Sequence, residues 1–147
     1  MSEKLVVCSE CGGVNRVPGS RPALEAKCGK CGTRLFTARP MDVSADVFER
    51  QLTRGTIPVL VDVWAPWCGP CKMMAPAYEA AASELEPRVR LIKLNSDAEQ
   101  AVAAKLGIRG IPTMILFRGG REVARTSGAM STAQIVRWVH DRLSPAA

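Results

Sequence analysis

The tightest constraint on the fold is a pair of cysteines, Cys68 and Cys71. They lie in Trp67-Cys68-Gly69-Pro70-Cys71, directly after the apolar run Val59-Leu60-Val61-Asp62-Val63-Trp64. A run that is apolar apart from one carboxylate reads as a central parallel strand buried on both faces. The cysteines then stand where that strand gives way to a helix. A helix N-terminus carries roughly half a positive charge and unpaired N–H groups, so a thiolate at Cys68 is favoured there and becomes the attacking group. Cys71, one turn further in, is placed to close a disulfide and release whatever Cys68 has captured. Pro70 suits the first turn, where no N–H is needed, and it stiffens the ring. Metal binding by this pair lacks partners, because no second thiol pair is spare and His140 is a single distant histidine.

The other four cysteines need a separate account. Cys8, Cys11, Cys28 and Cys31 form two C-x2-C knuckles, and each knuckle is followed by glycine (Gly12-Gly13 and Gly32). This spacing falls in the window for a four-thiolate zinc site, in which two short loops complete a tetrahedron. Glycine permits a positive φ, which lets backbone N–H groups turn back toward the sulfurs. Lys27, Lys30 and Arg34 stand nearby to offset the negative charge of four thiolates on one Zn²⁺. Two ordinary disulfides are the alternative, and a reducing compartment disfavours them.

Residues 1–39 hold seven Lys/Arg against three Asp/Glu, so most of the formal charge of +6 comes from this segment. Large apolar residues are few there, which makes folding without a metal difficult. A basic ribbon raises the question of nucleic acid. Phe36 is its only aromatic, however, and no run of basic residues forms a stripe, so no nucleic-acid role is expected. Met1-Ser2-Glu3-Lys4 leads into only three apolar residues before Cys8, too few for a signal segment, and no apolar stretch is long enough to span a membrane. The expectation is a cytoplasmic monomer with a zinc-binding ribbon over 1–39 and a catalytic domain over 40–147.

Along the chain, Thr37-Ala38-Arg39-Pro40 reads as a linker, with Pro40 ending the ribbon's last strand. Ser44 caps a helix to about Arg54, with Val47, Phe48 and Leu52 on one face. The strand at 59–64 follows. A long helix is expected over 68–86, kinked at Pro76. Arg90 to Asn95 reads as a strand, and Ala98 to Leu106 as a helix closed by Gly107. Thr113–Phe117 and Glu122–Thr126 flank Arg118-Gly119-Gly120-Arg121, a hairpin signal. Ser131 with Gln134 three residues later forms a capping box that opens a last helix to Leu143. The order implies an α/β sandwich around a central sheet.

These residues together resemble thioredoxin. The resemblance rests on Val61-Asp62-Val63-Trp64, then Trp67-Cys68-Gly69-Pro70-Cys71-Lys72, Lys93-Leu94-Asn95, Gly107-Ile108-Arg109-Gly110-Ile111-Pro112-Thr113 and Gly128. It runs from about residue 41 to 143, and the knuckles in front resemble the bacterial thioredoxin 2 subgroup. It implies the thioredoxin fold, a central mixed β-sheet flanked by helices, preceded by a small zinc ribbon. Asp62 matches the family's buried carboxylate beneath the thiols, and Lys93 the lysine beside it. A carboxylate in an apolar strand has a raised proton affinity and can relay a proton to or from Cys71. A purely structural acid paired with Lys93 is the other reading. Pro112 matches the family's cis proline facing the disulfide. With Ile111 it would present backbone groups to an extended substrate segment. Trp67, Gly69, Pro70, Ile111, Pro112 and Gly128, with Ala129, look like the substrate-docking rim.

The expected activity is protein-disulfide reduction, with Cys68 as nucleophile and Cys71 resolving. The substrates would be disulfide-containing proteins. No flavin or nucleotide loop is present, so electrons must come from outside; the resemblance implies an NADPH-dependent thioredoxin reductase. Two rival readings are a redox-regulated chaperone or docking module using the same surface, and a nucleic-acid-binding ribbon fused to a redox domain.

Overall fold

The computed structural model describes residues 3–144. β1 (Lys4–Val7) and β2 (Val14–Val17) form an antiparallel hairpin, followed by a 3-10 turn at Ala23–Glu25. Then come β3 (Met41–Asp42), α1 (Ala45–Arg54), β4 (Val59–Trp64), α2 (Gly69–Leu85), β5 (Arg90–Asn95), α3 (Gln100–Lys105), β6 (Thr113–Arg118), β7 (Arg121–Ser127) and α4 (Thr132–Leu143). Strands β3 to β7 make a single sheet in the order β3-β5-β4-β6-β7. β3, β5 and β4 run parallel, whereas β6 runs antiparallel to β4 and β7 antiparallel to β6. This is the mixed sheet with helices on both faces that the resemblance implies. No helix among the described residues is long and apolar enough to cross a membrane.

Side-chain alternation along β4 divides the core in two. Val59, Val61 and Val63 pack with Val47, Phe48, Ile92 and Leu94 on the α1 side. Leu60 packs with Met74, Tyr78, Leu85, Leu91, Leu116 and Ile135 on the side of α2 and α4. Asp62 shares the Leu60 face and therefore points toward α2. The Tyr78 hydroxyl, fully buried, reaches the carbonyl oxygens of Leu60 and Ile92 at 3.0 and 2.8 Å and pins α2 across two strands.

Local chemistry explains the element ends. Ser44 Oγ accepts the Val47 amide at the start of α1, and Ser131 with Gln134 forms the reciprocal capping box of α4. Gly119 and Gly120, at φ of 60° and 79°, make the hairpin turn between β6 and β7. α2 runs through Pro76 as one helix, with Glu86 as its C-cap. α3 begins later than expected, because Asn95 Oδ1 takes the amides of Asp97 and Ala98 at 2.9 and 3.3 Å and holds them in a turn. β3 was not foreseen. Pro40 also ends no strand, since Lys27 and Arg34 make only an isolated bridge and the chain reaches Pro40 without regular structure.

The ribbon is bolted to the rest of the chain. Val6, Cys8, Val17, Cys28, Leu35 and Phe36 form a small core that includes Ile57, just ahead of β4. Two polar side chains from beyond the ribbon are buried in the seam. Gln51 Nε2, on α1, donates to the Val7 carbonyl and to Ser9 Oγ, each at 3.1 Å. The Arg90 guanidinium donates to the carbonyls of Leu35 at 2.7 Å and Val7 at 3.0 Å, lies 4.4 Å from the Phe36 ring centroid, and sits 3.7 Å from Glu86. Burying a cation is costly unless its donors are used and a counter-charge is close; here Nη1 and Nη2 are used and Glu86 is near, while Nε has no hydrogen-bond partner. Thr56 extends the seam, pairing its amide with the Leu5 carbonyl.

Removing Arg90 would strip the Leu35 carbonyl of its donor, leave the Val7 carbonyl with Gln51 alone and leave Glu86 buried without its counter-charge. Arg90→Ala is expected to cost about 3 kcal/mol in urea unfolding of the full chain. Arg90→Lys should recover little of it, because an ammonium cannot reproduce the two-pronged geometry.

Candidate active site and metal centre

Cys68 is the N-cap of α2. Its sulfur accepts the Cys71 amide at 3.3 Å, and Pro70 sits in the first turn as expected. The two cysteines are joined as a disulfide with their Cα atoms 5.3 Å apart. Both are nearly covered, Cys68 at 5% exposure and Cys71 at 3%. Burial alone therefore does not separate the attacking from the resolving thiol. Position does: a groove of about 570 Å³ is lined by Trp67, Cys68, Gly69, Pro70, Arg109 and Ile111, among others, and not by Cys71.

The groove walls match much of the expected rim. Trp67 is 70% exposed, its indole N–H reaching Asp97 at 3.3 Å. The Ile111–Pro112 bond is cis, and the Ile111 carbonyl lies 3.8 Å from the Cys68 sulfur. Pro112 is buried behind it. Gly128, at φ 101°, does not line the groove; its amide bonds the Pro112 carbonyl at 2.9 Å and braces that loop. Thr113 Oγ1 holds the Gly110 carbonyl at 2.6 Å from the other side. Sequence reasoning missed Met73, which is 78% exposed on the first turns of α2, and the contributions of Ser96 and Ile108 to the groove. Exposure of a large apolar side chain beside a redox pair is a signal only once the helix face is known.

Asp62 lies on the α2 face of β4 with 1% exposure, and its Oδ1 has no hydrogen-bond partner. Burial pushes its carboxyl up from 3.8 to about 7, the Lys93 ammonium opposing and Asp42 assisting. Lys93 is its register neighbour on β5. The ammonium lies 4.4 Å from the Trp64 ring centroid, over the indole face. The pair is thus close in the sheet, yet the lysine does not satisfy Oδ1. His140 is exposed on α4 and takes no part.

The four ribbon sulfurs lie within 4.8 Å of one another, with Cys8–Cys31 at 3.7 Å and Cys11–Cys28 at 3.6 Å. Tetrahedral zinc with Zn–S bonds of about 2.3 Å requires sulfurs about 3.8 Å apart, so the donor set fits that metal. Gly12 and Gly32 adopt φ of 79° and 80°, and the amides of Gly13 and Lys30 point at Cys11 and Cys28 sulfurs at 3.3 and 3.4 Å. This is the turned-back geometry the knuckles imply. Cys8 and Cys28 are buried, whereas Cys31 is exposed.

Comparison with known proteins agrees with this geometry. A family model described as Thioredoxin matches residues 39–141, and one described as Thioredoxin 2, N-terminal, matches residues 7–33. Thioredoxin C-3 of Corynebacterium nephridii is 37% identical over 139 residues, covering 95% of both chains. A thioredoxin of Acidithiobacillus ferridurans is 45% identical over 101 residues, covering 69% of this chain and 94% of its own. Among solved structures, the thioredoxin of Malassezia sympodialis superposes with a TM-score of 0.63 at 30% identity, over 71% of this chain and 90% of its own.

The position of Asp62 has a consequence for stability. The folded chain holds this proton more tightly than the unfolded chain, so the cost of burying the charge is absent below pH 3.8 and complete above about pH 7. Stability should therefore fall as pH rises through that window. Asp62→Asn removes this dependence and is expected to be the more stable protein at pH 8, by an amount on the order of 3 kcal/mol. Coincident unfolding curves for the two proteins at pH 8, with no shift in midpoint, would count against a buried carboxyl that destabilises the fold when ionised.

Proposed function

Because the chain belongs to the thioredoxin family and carries a Cys68–Cys71 redox disulfide at the active-site position, we propose that it reduces protein disulfides with Cys68 attacking and Cys71 resolving. The observation that carries this order is the placement of Cys68 at the N-cap of α2 and on the groove wall, with Cys71 behind it. In the reduced protein, the Cys68 thiolate is stabilised by the Cys71 N–H and the helix N-terminus. It attacks one sulfur of a substrate disulfide, forming a mixed disulfide and releasing the other substrate sulfur as a thiolate, which takes a proton. Cys71 then attacks the Cys68 sulfur, its proton passing to Asp62. The second substrate thiolate leaves, and the Cys68–Cys71 disulfide remains. Two electrons have moved from the protein to the substrate.

Trp67, Gly69, Pro70 and Ile111 form the docking surface in this scheme, and Pro112 and Gly128 hold its backbone edge. An extended substrate segment beside Ile111 would pair with main-chain groups, which favours disulfides in loops over those in folded cores. Restoring the dithiol needs an external two-electron donor, for which the family resemblance points to an NADPH-dependent thioredoxin reductase. Cys8, Cys11, Cys28 and Cys31 would hold one Zn²⁺, which as a closed four-thiolate site supplies a structural cross-link rather than chemistry. Unoxidised thiolates in that site suit a reducing compartment such as the cytoplasm.

Two measurements test the scheme. Cys71→Ser should accumulate substrate proteins as mixed disulfides, while Cys68→Ser traps none; equal trapping by both variants removes the assigned order. Metal analysis of freshly reduced protein should find one zinc per chain, lost in a Cys8→Ser, Cys28→Ser double variant and released by peroxide. Zinc that instead follows Cys68 and Cys71 would move the metal site to the redox pair.

A further inference from the structure

β3 contributes nothing to the scheme above, yet its Asp42 belongs to the charged cluster around Asp62. Asp42 is the register neighbour of Lys93, and Lys93 that of Asp62, so the three stand in a row on the face that α2 covers. The Asp42 carboxylate accepts the Trp64 indole N–H. That bond fixes the ring on which the Lys93 ammonium rests, 4.4 Å from its centroid. A cation gains from an indole face, and it gains more from a buried carboxylate that lacks a partner. Asp62 Oδ1 is such an atom and stays unpartnered. We propose that Asp42 is a positioning residue: through Trp64 it holds Lys93 off Asp62, so that the buried acid is not locked into an ion pair.

The groups that face Asp62 are few. Lys93 comes from β5 and Asp42 from β3, while α2 contributes Cys71 and the Tyr78 hydroxyl, which is committed to two carbonyls. β6 contributes uncharged Met114 at the same register. Lys93 also lines a groove of about 420 Å³ with Pro40, Pro76, Glu79 and Ser83, so Glu79 is a further acid on its solvent side. Within this set, the Lys93 ammonium lowers the Asp62 proton affinity and Asp42 raises it. Loss of Asp42 therefore acts twice in one direction, removing a like charge and freeing the lysine.

This proposal rests on the relay reading of Asp62 for its relevance to turnover, and the test separates the two. The Asp62 carboxyl would be titrated by ¹³C NMR in the full-length protein and in Asp42→Asn, Asp42→Ala and Asp42→Glu. Asp42 is exposed at the sheet edge, so these changes leave the core untouched. Asparagine keeps an acceptor for the indole but not the charge, and the midpoint should fall by roughly half a pH unit. Alanine frees Trp64 as well, and the fall should be larger, roughly one unit. Glutamate should stay near the parent value. An Asp62 midpoint in Asp42→Ala equal to that of the parent overturns the proposal, as does an equal fall in the Asn and Ala variants for the part assigned to Trp64. The pH profile of insulin-disulfide reduction is then recorded for the same proteins. A midpoint that falls while that profile stays in place upholds the role of Asp42 and removes the relay role of Asp62.

Discussion

The site depends on a carboxylate buried in the middle of a strand whose other residues are apolar. β4 is paired on both edges, by β5 and β6, so its backbone has no freedom to turn Asp62 toward water. The pleat then decides which face receives it, and that face is covered by α2, the helix that carries both cysteines. A one-residue slip of β4 would put Val61 or Val63 beneath the thiols and Asp62 among Phe48, Ile92 and Leu94. The ladders to β5 and β6 on both edges and the cross-strand hold of Tyr78 make such a slip costly. On the role proposed for Asp62, register serves the chemistry as well as the packing.

The ribbon lies at the other end of this arrangement. Its seam involves Ile57, Thr56 and Arg90, at the starts of β4 and β5, whereas the cysteines follow the end of β4. Six extended residues separate those ends by about 20 Å. A metal in the ribbon therefore stays out of contact with the redox pair, and its influence must travel through shared elements. Two are available. The first knuckle rests on α1, where Arg50 reaches the Gly12 carbonyl at 3.4 Å. The chain leaving the ribbon passes Pro40 and enters β3, which pairs with Ile92 and Lys93. The buried Arg90–Glu86 pair makes the seam stiff, because separating it would leave two charges without partners.

Much of this was legible in the residues because it rests on short-range chemistry. The strand-to-helix junction, the Ser44 and Ser131 caps, the Gly119-Gly120 turn and the two knuckles each follow from neighbours within a few positions. The failures share a cause. Gln51 reads as the polar side of an amphipathic helix, and Arg90 as an ordinary strand start, because their partners lie 44 and 83 residues away at Val7. β3 is two residues long with no alternation to betray it, and it exists only because β5 offers an edge. Gly128, expected at the substrate rim, donates its amide to the Pro112 carbonyl and braces that loop. Its positive φ is readable as a turn, but which carbonyl its amide meets is a fact of tertiary structure.

The same distinction bears on how the thiols are balanced. Every local feature at Cys68 favours a thiolate: the N-cap position, the Cys71 amide and the dipole of a 17-residue helix. If nothing opposed it, that stabilisation would make Cys68 a better leaving group than attacker and shift the pair toward oxidising other thiols. In the proposed scheme the opposing influence is Asp62, the second proton acceptor beneath the helix. Ionised, it would repel a neighbouring thiolate, and protonated, it would return its proton as the disulfide opens. The sequence displays the first half of this balance openly, in five consecutive residues. The second half needs β3, β4 and β5 side by side, with Asp42, Trp64 and Lys93 deciding how much of the lysine's charge reaches Asp62. Reactivity at Cys68 is in this sense set by the sheet as much as by the motif.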